Sequence, residues 1–376
     1  MNVLNLLDYF ETIVIICLAT SLFFSEATDR NDVQKSLKMR ISTFITSLIA
    51  FGATAMPFHL ASAEGEKTST EASQKLPANL LQISETDAFS KYVLLVDKGQ
   101  RKLFVYERQG STIKLTEEFD ADIGKNDGNK TKRDDHKTPE GIYFLESNLK
   151  SPKIPFETYG KQAFTTNYPN FFDLLEQKTG DGIWLHAIPD SVPLTRGSRG
   201  CVVVRNEVIQ KVEKYIKLKE TPIIIFDHVD YITPEEHAER TAEYRNWLND
   251  WKTAWETKDL DKYLSYYDER FKAPGFNYKS WVAHKTNLKN KYEFIKVALS
   301  QPFLLLHRNQ LIIKTLQKYT SDQHTDYGVK TLYVTIDKNK KHKIVREEWV
   351  RSKEDGQVLG QARHLGGEAD EPQPHN

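Results

Sequence analysis

The residues best suited to chemistry in this chain are a histidine and a cysteine that lie fifteen positions apart. His186 closes the sequence WLH, and Cys201 closes the sequence RGSRGC and precedes the apolar run VVV. Both residues therefore lie at the ends of segments with strand character. A thiol and an imidazole on facing strand ends can form a nucleophile and its general base. The pair predicts an enzyme that attacks its substrate with a cysteine.

The cysteine content supports this prediction. The chain has two cysteines, Cys17 and Cys201, and loss of Cys17 with an N-terminal leader would leave one thiol and no internal disulfide. A lone thiol in an exported protein indicates a reactive group, and a small buried apolar residue is the alternative. The sequence contains no Cys-x-x-Cys pair, no His-Glu-x-x-His motif and no Gly-rich phosphate loop. We therefore expect neither a metal nor a cofactor.

The overall composition is that of a soluble globular protein. The chain has 376 residues, of which 39% are hydrophobic and 28% charged, and this length suits about two domains. Lysine and arginine together number 52, as do aspartate and glutamate. Because no excess charge would attract an anionic partner, we expect no nucleic-acid partner.

The N-terminal region resembles an export signal. Basic residues precede an apolar stretch over 41–60, which ends in the small residues ASA. This pattern predicts a signal peptide over 39–63, with the folded part exported to the periplasm or cell envelope. Met39 would then be the start codon and residues 1–38 an upstream extension. A short membrane anchor over Ile13–Phe24, with the start at Met1, is the alternative.

The elements that must position His186 and Cys201 form a mostly β domain with few helices, predicted over 89–228. Residues 64–88 are polar and are expected to be a linker with at most one short docking turn. Residues 125–137 are charged and predict an exposed loop, and 151–173 predict a substrate-facing flap or an irregular packed loop. Asn206 is expected to cap a helix.

These segments resemble the YkuD-type L,D-transpeptidase catalytic domain, a family that remodels bacterial peptidoglycan. The family carries a histidine, a gap of similar length and then Ser/Thr-His-Gly-Cys, which correspond here to His186 and the sequence SRGC. A second block also matches, in which Ile123-Gly124 is followed by a polar loop and the sequence TPEGIY. Arg199 replaces the family's usual histidine, and Val203 stands where arginine or asparagine often occurs. The resemblance implies a β-sandwich catalytic domain.

The resemblance also implies roles for the residues around the thiol. Cys201 would attack as a thiolate, and His186 would accept its proton and return it to the leaving amine. The backbone carbonyl of Ala187 would orient the imidazole. The N–H groups of Arg199, Gly200 and Cys201 are expected to stabilise the oxyanion.

The substrate implied by the family is a tetrapeptide stem of peptidoglycan. Arg196, Ser198 and Arg199 are candidate substrate-binding residues, with the arginines suited to a peptide carboxylate; solvated loop arginines are the alternative. The cysteine would release D-alanine from the L-centre of diaminopimelate and form a thioester. An acceptor amine would then complete a cross-link, the transpeptidase outcome that the family favours. Water would complete L,D-carboxypeptidation instead, and an inactive wall-binding scaffold is the alternative from another class.

The C-terminal part predicts a separate α+β domain over 241–352, after a linker over 229–240 and before a disordered tail over 353–376. A first helix carries tryptophans at four-residue steps, and a second aromatic helix is expected to run from Asp259 to Phe271. Helices followed by strands resemble the cone-shaped nuclear-transport-factor-two-like (NTF2-like) fold.

Joined to the catalytic domain, this second domain resembles the cell-shape-determining L,D-carboxypeptidases of curved and helical bacteria. The resemblance implies an accessory domain that binds a sugar or protein ligand. Tyr319, Tyr333 and Trp349 are candidates for lining its pocket, and the tryptophan stripe is expected to belong to the core.

Overall fold

The structure of the protein is a computed structural model that describes residues 75–353. The predicted extension, the signal peptide, the first part of the linker and nearly all of the tail lie outside the described residues. Within the described range, no helix is long and apolar enough to cross a membrane.

The first half of the described chain is mostly strand, as its short apolar runs predict. In chain order its elements are β1 (Leu76–Pro77), β2 (Leu80–Gln82), β3 (Tyr92–Asp97), β4 (Lys102–Gln109), β5 (Thr112–Asp120), β6 (Gly141–Lys150), α1 (Phe156–Tyr159), β7 (Gln162–Thr166), α2 (Phe171–Leu175), β8 (Trp184–Ile188), β9 (Val202–Arg205), α3 (Asn206–Glu213), β10 (Pro222–Phe226) and β11 (Tyr231–Ile232).

Eight of these strands form one sheet in the order β5-β4-β3-β10-β6-β7-β8-β9. Strand β6 belongs to both halves of the sheet, because its first residues pair with β10 and its later residues pair with β7. The two halves share one core of buried side chains, to which α3 contributes: Leu94, Val96, Leu103, Val105, Leu185, Val202, Ile209 and Val212. The mostly β catalytic domain predicted from the sequence is confirmed.

The second half of the chain forms the α+β domain. Its elements are α4 (Pro234–Glu256), α5 (Leu260–Ser265), β12 (Tyr267–Ala273), β13 (Phe276–Asn277), α6 (Tyr278–Lys291), β14 (Ile295–Leu299), β15 (Phe303–His307), β16 (Gln310–Ser321), β17 (Thr325–Ile336) and β18 (His342–Arg351). The sheet order is β13-β12-β18-β17-β16-β15-β2, with β14 paired to β16. The predicted α+β fold is confirmed.

The second aromatic helix was expected to be longer than it is. It ends at Ser265, and Tyr267 and Phe271 lie in strand β12 with both side chains buried. Their spacing of four residues fits one face of a helix and also one face of a strand, whose period is two. Local spacing therefore cannot distinguish the two structures here.

Both segments expected to be linkers contain regular secondary structure. Strand β2 lies in the first linker and pairs with β15 at the edge of the second sheet, where Leu80 is fully buried. Strand β1 pairs with β11, and α4 begins at Pro234, inside the second linker. The cause is strand addition: a segment too short to show periodicity gains its partners only from distant strands.

The catalytic domain and the accessory domain pack on each other through a shared apolar core. From the catalytic domain it includes Phe104, Ile142, Phe172 and Ile224, and from the accessory sheet Leu305, Ile312, Tyr333 and Val345. This core places the β15–β16 turn against the catalytic domain.

Candidate active site

The structure places His186 and Cys201 on neighbouring parallel strands. His186 pairs with Val203 between β8 and β9, and Cys201 lies two residues before Val203. Because side chains alternate along a strand, the thiol and the imidazole lie on the same face. Both are buried, with only 9% of Cys201 and 6% of His186 exposed. The two residues that the sequence singled out are thus adjacent in the fold.

The thiol of Cys201 is held in an enclosed position. Its Sγ donates to the carbonyl oxygen of Gly182 at 3.4 Å. Burial raises the pKa of the Cys201 thiol to about 11, although a backbone hydrogen bond from Trp184 and the charge of Lys130 act in the opposite direction. The thiol is therefore protonated at neutral pH, and the thiolate expected from the sequence would form only when another group removes this proton.

The imidazole of His186 is oriented by the neighbouring peptide group. Its Nδ1 lies 2.6 Å from the carbonyl oxygen of Ala187, which is the contact expected from the sequence. Burial lowers the pKa of His186, so the ring is neutral at pH 7. With the proton on Nδ1 donated to Ala187, Nε2 keeps a lone pair and can accept a proton. The ring of Tyr159 packs edge-on against His186, with centroids 5.1 Å apart.

The backbone before Cys201 requires glycine at position 200. Gly200 has a φ of +127°, and a Cβ there would lie 2.6 Å from the carbonyl oxygen of Lys137. The Gly200 N–H donates to Ser198 Oγ at 3.1 Å, and that hydroxyl donates to the Cys201 carbonyl oxygen at 2.7 Å.

One of the three N–H groups expected to stabilise the oxyanion is engaged in this structure. The Gly200 N–H is already engaged by Ser198, whereas the N–H groups of Arg199 and Cys201 have no partner within residues 75–353. Two of the three expected donors thus remain available. Ser198 holds the backbone of its own loop, and its contact with substrate stays a prediction.

The two arginines of the motif have different surroundings. Arg196 forms an ion pair with Asp127 and donates from Nε to the carbonyl oxygen of Gly124 at 3.3 Å. Arg199 is exposed, and its side chain makes no ion pair with any residue that the structure describes. Arg199 is therefore the arginine free to meet a carboxylate, and this role stays a prediction.

The second sequence block lies directly against the cysteine motif. Gly124 N–H donates to Thr138 Oγ1 at 2.8 Å, and Lys125 N–H donates to the Ser198 carbonyl oxygen at 2.9 Å. The charged loop between them was expected to be exposed, but it contains the buried ion pair of Lys130 and Asp135 at 2.8 Å. The loop is thus a fixed wall of the site.

Comparisons with known proteins agree with this geometry. A model of the L,D-transpeptidase (YkuD) catalytic domain matches residues 91–225, and a model of the Cds6 C-terminal NTF2-like domain matches residues 244–348. The structure of Bd1075 from Bdellovibrio bacteriovorus is 62% identical to the chain, with a TM-score of 0.70, and the match covers 75% of this chain and 100% of that one. The chain belongs to the L,D-transpeptidase family.

A more distant solved structure is also similar to the chain. The helical cell shape determining protein Pgp2 from Campylobacter jejuni is 26% identical, with a TM-score of 0.56, over 72% of this chain and 95% of that one. No curated protein matches the chain. L,D-transpeptidases of this family act on peptidoglycan peptides, a substrate of the cell envelope or periplasm.

The L,D-transpeptidase site includes residues that sequence reasoning did not single out. Gly182 accepts the thiol hydrogen bond, the charge of the buried Lys130 acts on the pKa of Cys201, and Tyr159 packs on His186. Tyr159 lies in the segment expected to be a flap, so its aromatic content was the available signal. For Gly182 and Lys130 the sequence contains no such signal, because their contacts come from tertiary packing.

The accessory domain of this member of the L,D-transpeptidase family has a small pocket between helices and sheet. Trp251 and Trp255 belong to the buried core and also line the pocket. Tyr319 lines it as expected, but Tyr333 packs between the two domains against Phe171. The remaining lining residues are Lys252, Tyr263, Lys285, Val297, Gln317 and Lys330.

Proposed function

We propose that the protein is an L,D-carboxypeptidase that trims tetrapeptide stems of peptidoglycan to tripeptides through a thioester on Cys201. The observation that carries this proposal is that Cys201 and His186 form an enclosed pair. The carbonyl oxygen of Ala187 orients the imidazole ring of His186. Membership of the L,D-transpeptidase family supports the reaction class. We also propose a role in cell shape, which the similarity to the helical cell shape determining protein Pgp2 supports.

The reaction begins with attack of Sγ on the carbonyl carbon of the L,D-bond. As the S–C bond forms, the thiol proton passes to Nε2 of His186. The N–H groups of Cys201 and Arg199 stabilise the resulting oxyanion. When the C–N bond breaks, His186 returns the proton to the nitrogen of the leaving D-alanine, and a thioester remains.

The thioester is then cleaved by water. His186 removes a proton from the water as its oxygen attacks the thioester carbonyl, and Sγ leaves and recovers a proton. Hydrolysis is favoured because both reacting groups are more than nine-tenths buried and Tyr159 packs over His186 and Trp184. Water needs little space, whereas an acceptor stem must bring a bulky chain to the same carbon.

Transpeptidation is the second candidate, and the name of the matching family model supports it. The test incubates the purified full chain with tetrapeptide muropeptides and identifies the products by mass, with Cys201→Ala as the control. Tripeptide alone supports carboxypeptidation, and a cross-linked dimer supports transpeptidation. A wild-type protein without turnover, indistinguishable from C201A, would support the inactive scaffold. A carbapenem should form an adduct on Cys201.

For the accessory domain we propose a sugar or peptide ligand in the pocket between helices and sheet. The ammonium of Lys285 lies 4.5 Å from the ring centre of Trp255 and 4.4 Å from that of Trp281. Aromatic faces suit sugar rings, and an ammonium suits a carboxylate. Tryptophan fluorescence titrated with muropeptides tests this, and Lys285→Met should weaken the response; an unchanged titration would contradict the proposal.

A further inference from the structure

Two loops flank the thiol of Cys201, and both lead back to the accessory domain. One loop brings the Lys137 carbonyl oxygen against Gly200, and the other brings the Gly182 carbonyl oxygen to Sγ. Each loop is held at its far end by a residue of the accessory domain, Arg308 in the β15–β16 turn for the first loop and Gln310 at the start of β16 for the second. The accessory domain is therefore connected to both loops that flank the thiol, in each case through an intermediate residue.

The first connection runs through Glu140, a carboxylate that is only 3% exposed. Lys98 Nζ donates to Oε1 of Glu140 at 2.6 Å, and Arg308 Nη2 donates to Oε2 at 2.5 Å. The Glu140 N–H donates to Asn129 Oδ1 at 2.9 Å. One carboxylate oxygen is thus held from within the catalytic domain and the other from the accessory domain.

Glu140 controls the position of the nearby wall because it lies only three positions after Lys137. Between them, Thr138 accepts the Gly124 N–H at 2.8 Å. The Lys137 carbonyl oxygen lies where a Cβ on Gly200 would clash, so the Gly200 backbone follows the position of this carbonyl. A shift of Glu140 is therefore transmitted to the peptide that precedes Cys201.

The second connection runs through helix α2. Gln310 Nε2 donates to Glu176 Oε1 at 2.7 Å, directly after the helix. The ring of Tyr333 packs against Phe172, with centroids 5.5 Å apart. The chain then continues to Gly182, which accepts the thiol hydrogen bond.

We propose that Arg308 and Gln310 of the accessory domain are positioning residues for the Cys201 nucleophile. The physical basis is that removal of Arg308 leaves a buried carboxylate oxygen without its charged donor, and such a group moves to find another. The inference rests on the proposed function for its turnover measurement, but thiol reactivity tests it independently.

The test compares Arg308→Gln with Arg270→Gln in the full chain. Arg270 is a matched control, because its side chain and that of Arg308 are each 61% exposed and each pairs with a carboxylate. We expect R308Q to lower kcat per titratable thiol roughly tenfold, as a small misplacement of a catalytic group does, with KM unchanged. Arg308→Lys should restore part of the loss, and R270Q should match the wild type.

A second measurement is the rate of iodoacetamide alkylation of Cys201 against pH, located by peptide mass. We expect the pH dependence of the alkylation rate to change in R308Q and, to a smaller extent, in Gln310→Ala. The second variant keeps the inference testable if R308Q does not fold. A profile and a kcat per thiol equal to those of R270Q would overturn the inference. If the wild type shows no turnover, the proposed function fails, and the alkylation profiles alone decide the positioning role.

Discussion

Replacing Gly200 by alanine tests the wall of the thiol site most directly. The φ of +127° is strained for any residue with a side chain, at a cost of about 2 kcal/mol. The new Cβ would also lie 2.6 Å from the Lys137 carbonyl oxygen and 3.0 Å from Cδ1 of Ile183. The backbone of Lys137 cannot move away freely from the new Cβ, because the Lys137 N–H donates to Asp135 Oδ1 at 3.1 Å. Overpacking adds about 2 kcal/mol.

We therefore expect Gly200→Ala to lower the free energy of unfolding by about 4 kcal/mol. The matched control is Gly110→Ala, where φ is +59° and no atom lies within 4 Å of the added Cβ. Strain alone then costs about 1 kcal/mol. Urea unfolding of the full chain measures both variants.

Activity separates the two variants further. A displaced Cys201 should lower turnover of tetrapeptide by roughly a hundredfold in G200A, whereas G110A should keep full turnover. The reasoning is refuted if G200A unfolds at the same urea concentration as G110A and alkylates Cys201 at the wild-type rate. That result would mean that the Lys137 carbonyl does not confine the backbone of Gly200.

Three further predictions concern ionisable groups. Burial raises the pKa of Cys201 from 9.0 to about 11. About 3 kcal/mol of stability that is present below pH 9 is therefore lost as the pH rises through 11. In Cys201→Ser, urea unfolding should show no such decrease in stability over this pH range. Burial alone would raise the pKa of Asp135, but Lys130 and three backbone N–H groups hold it at about 2; Asp135→Asn should cost about 2 kcal/mol at pH 7, a difference that disappears as the pH falls from 4 towards 2. Burial lowers the pKa of Lys285 to about 7, although the negative charge of Glu347 acts to raise it. The free energy of unfolding should therefore rise from pH 7 to 10. Urea titrations at pH 6 and 9 should show no such rise in Lys285→Met.

The strands that carry the site were predictable because they are short apolar runs bounded by turn residues. The apolar run of three valines after Cys201, to which the sequence gives strand character, is one residue shorter than β9 at its C-terminal end. The contact of His186 with Ala187 was also predictable from the family resemblance, since it joins adjacent residues.

Predictions failed where a side chain had two possible partners. Asn206 was expected to cap a helix, but it is the first helical residue, and Arg205 occupies the cap position. The Asn206 side chain instead accepts the Lys161 N–H at Oδ1, at 2.7 Å, and donates from Nδ2 to the Ile188 carbonyl oxygen at 3.1 Å. Both partners lie far along the chain, so no local pattern indicates them.

The sequence by itself predicted the candidate reactive groups and the family to which the chain belongs, because a thiol, an imidazole and a glycine at fixed spacing depend only on residue type and local structure. Only the tertiary structure decided how those groups are charged and held. The raised pKa of Cys201 comes from burial, and the contact of Arg308 with Glu140 joins residues 168 positions apart. Burial and long-range contacts are properties of the packed molecule, since they exist only after the chain has folded.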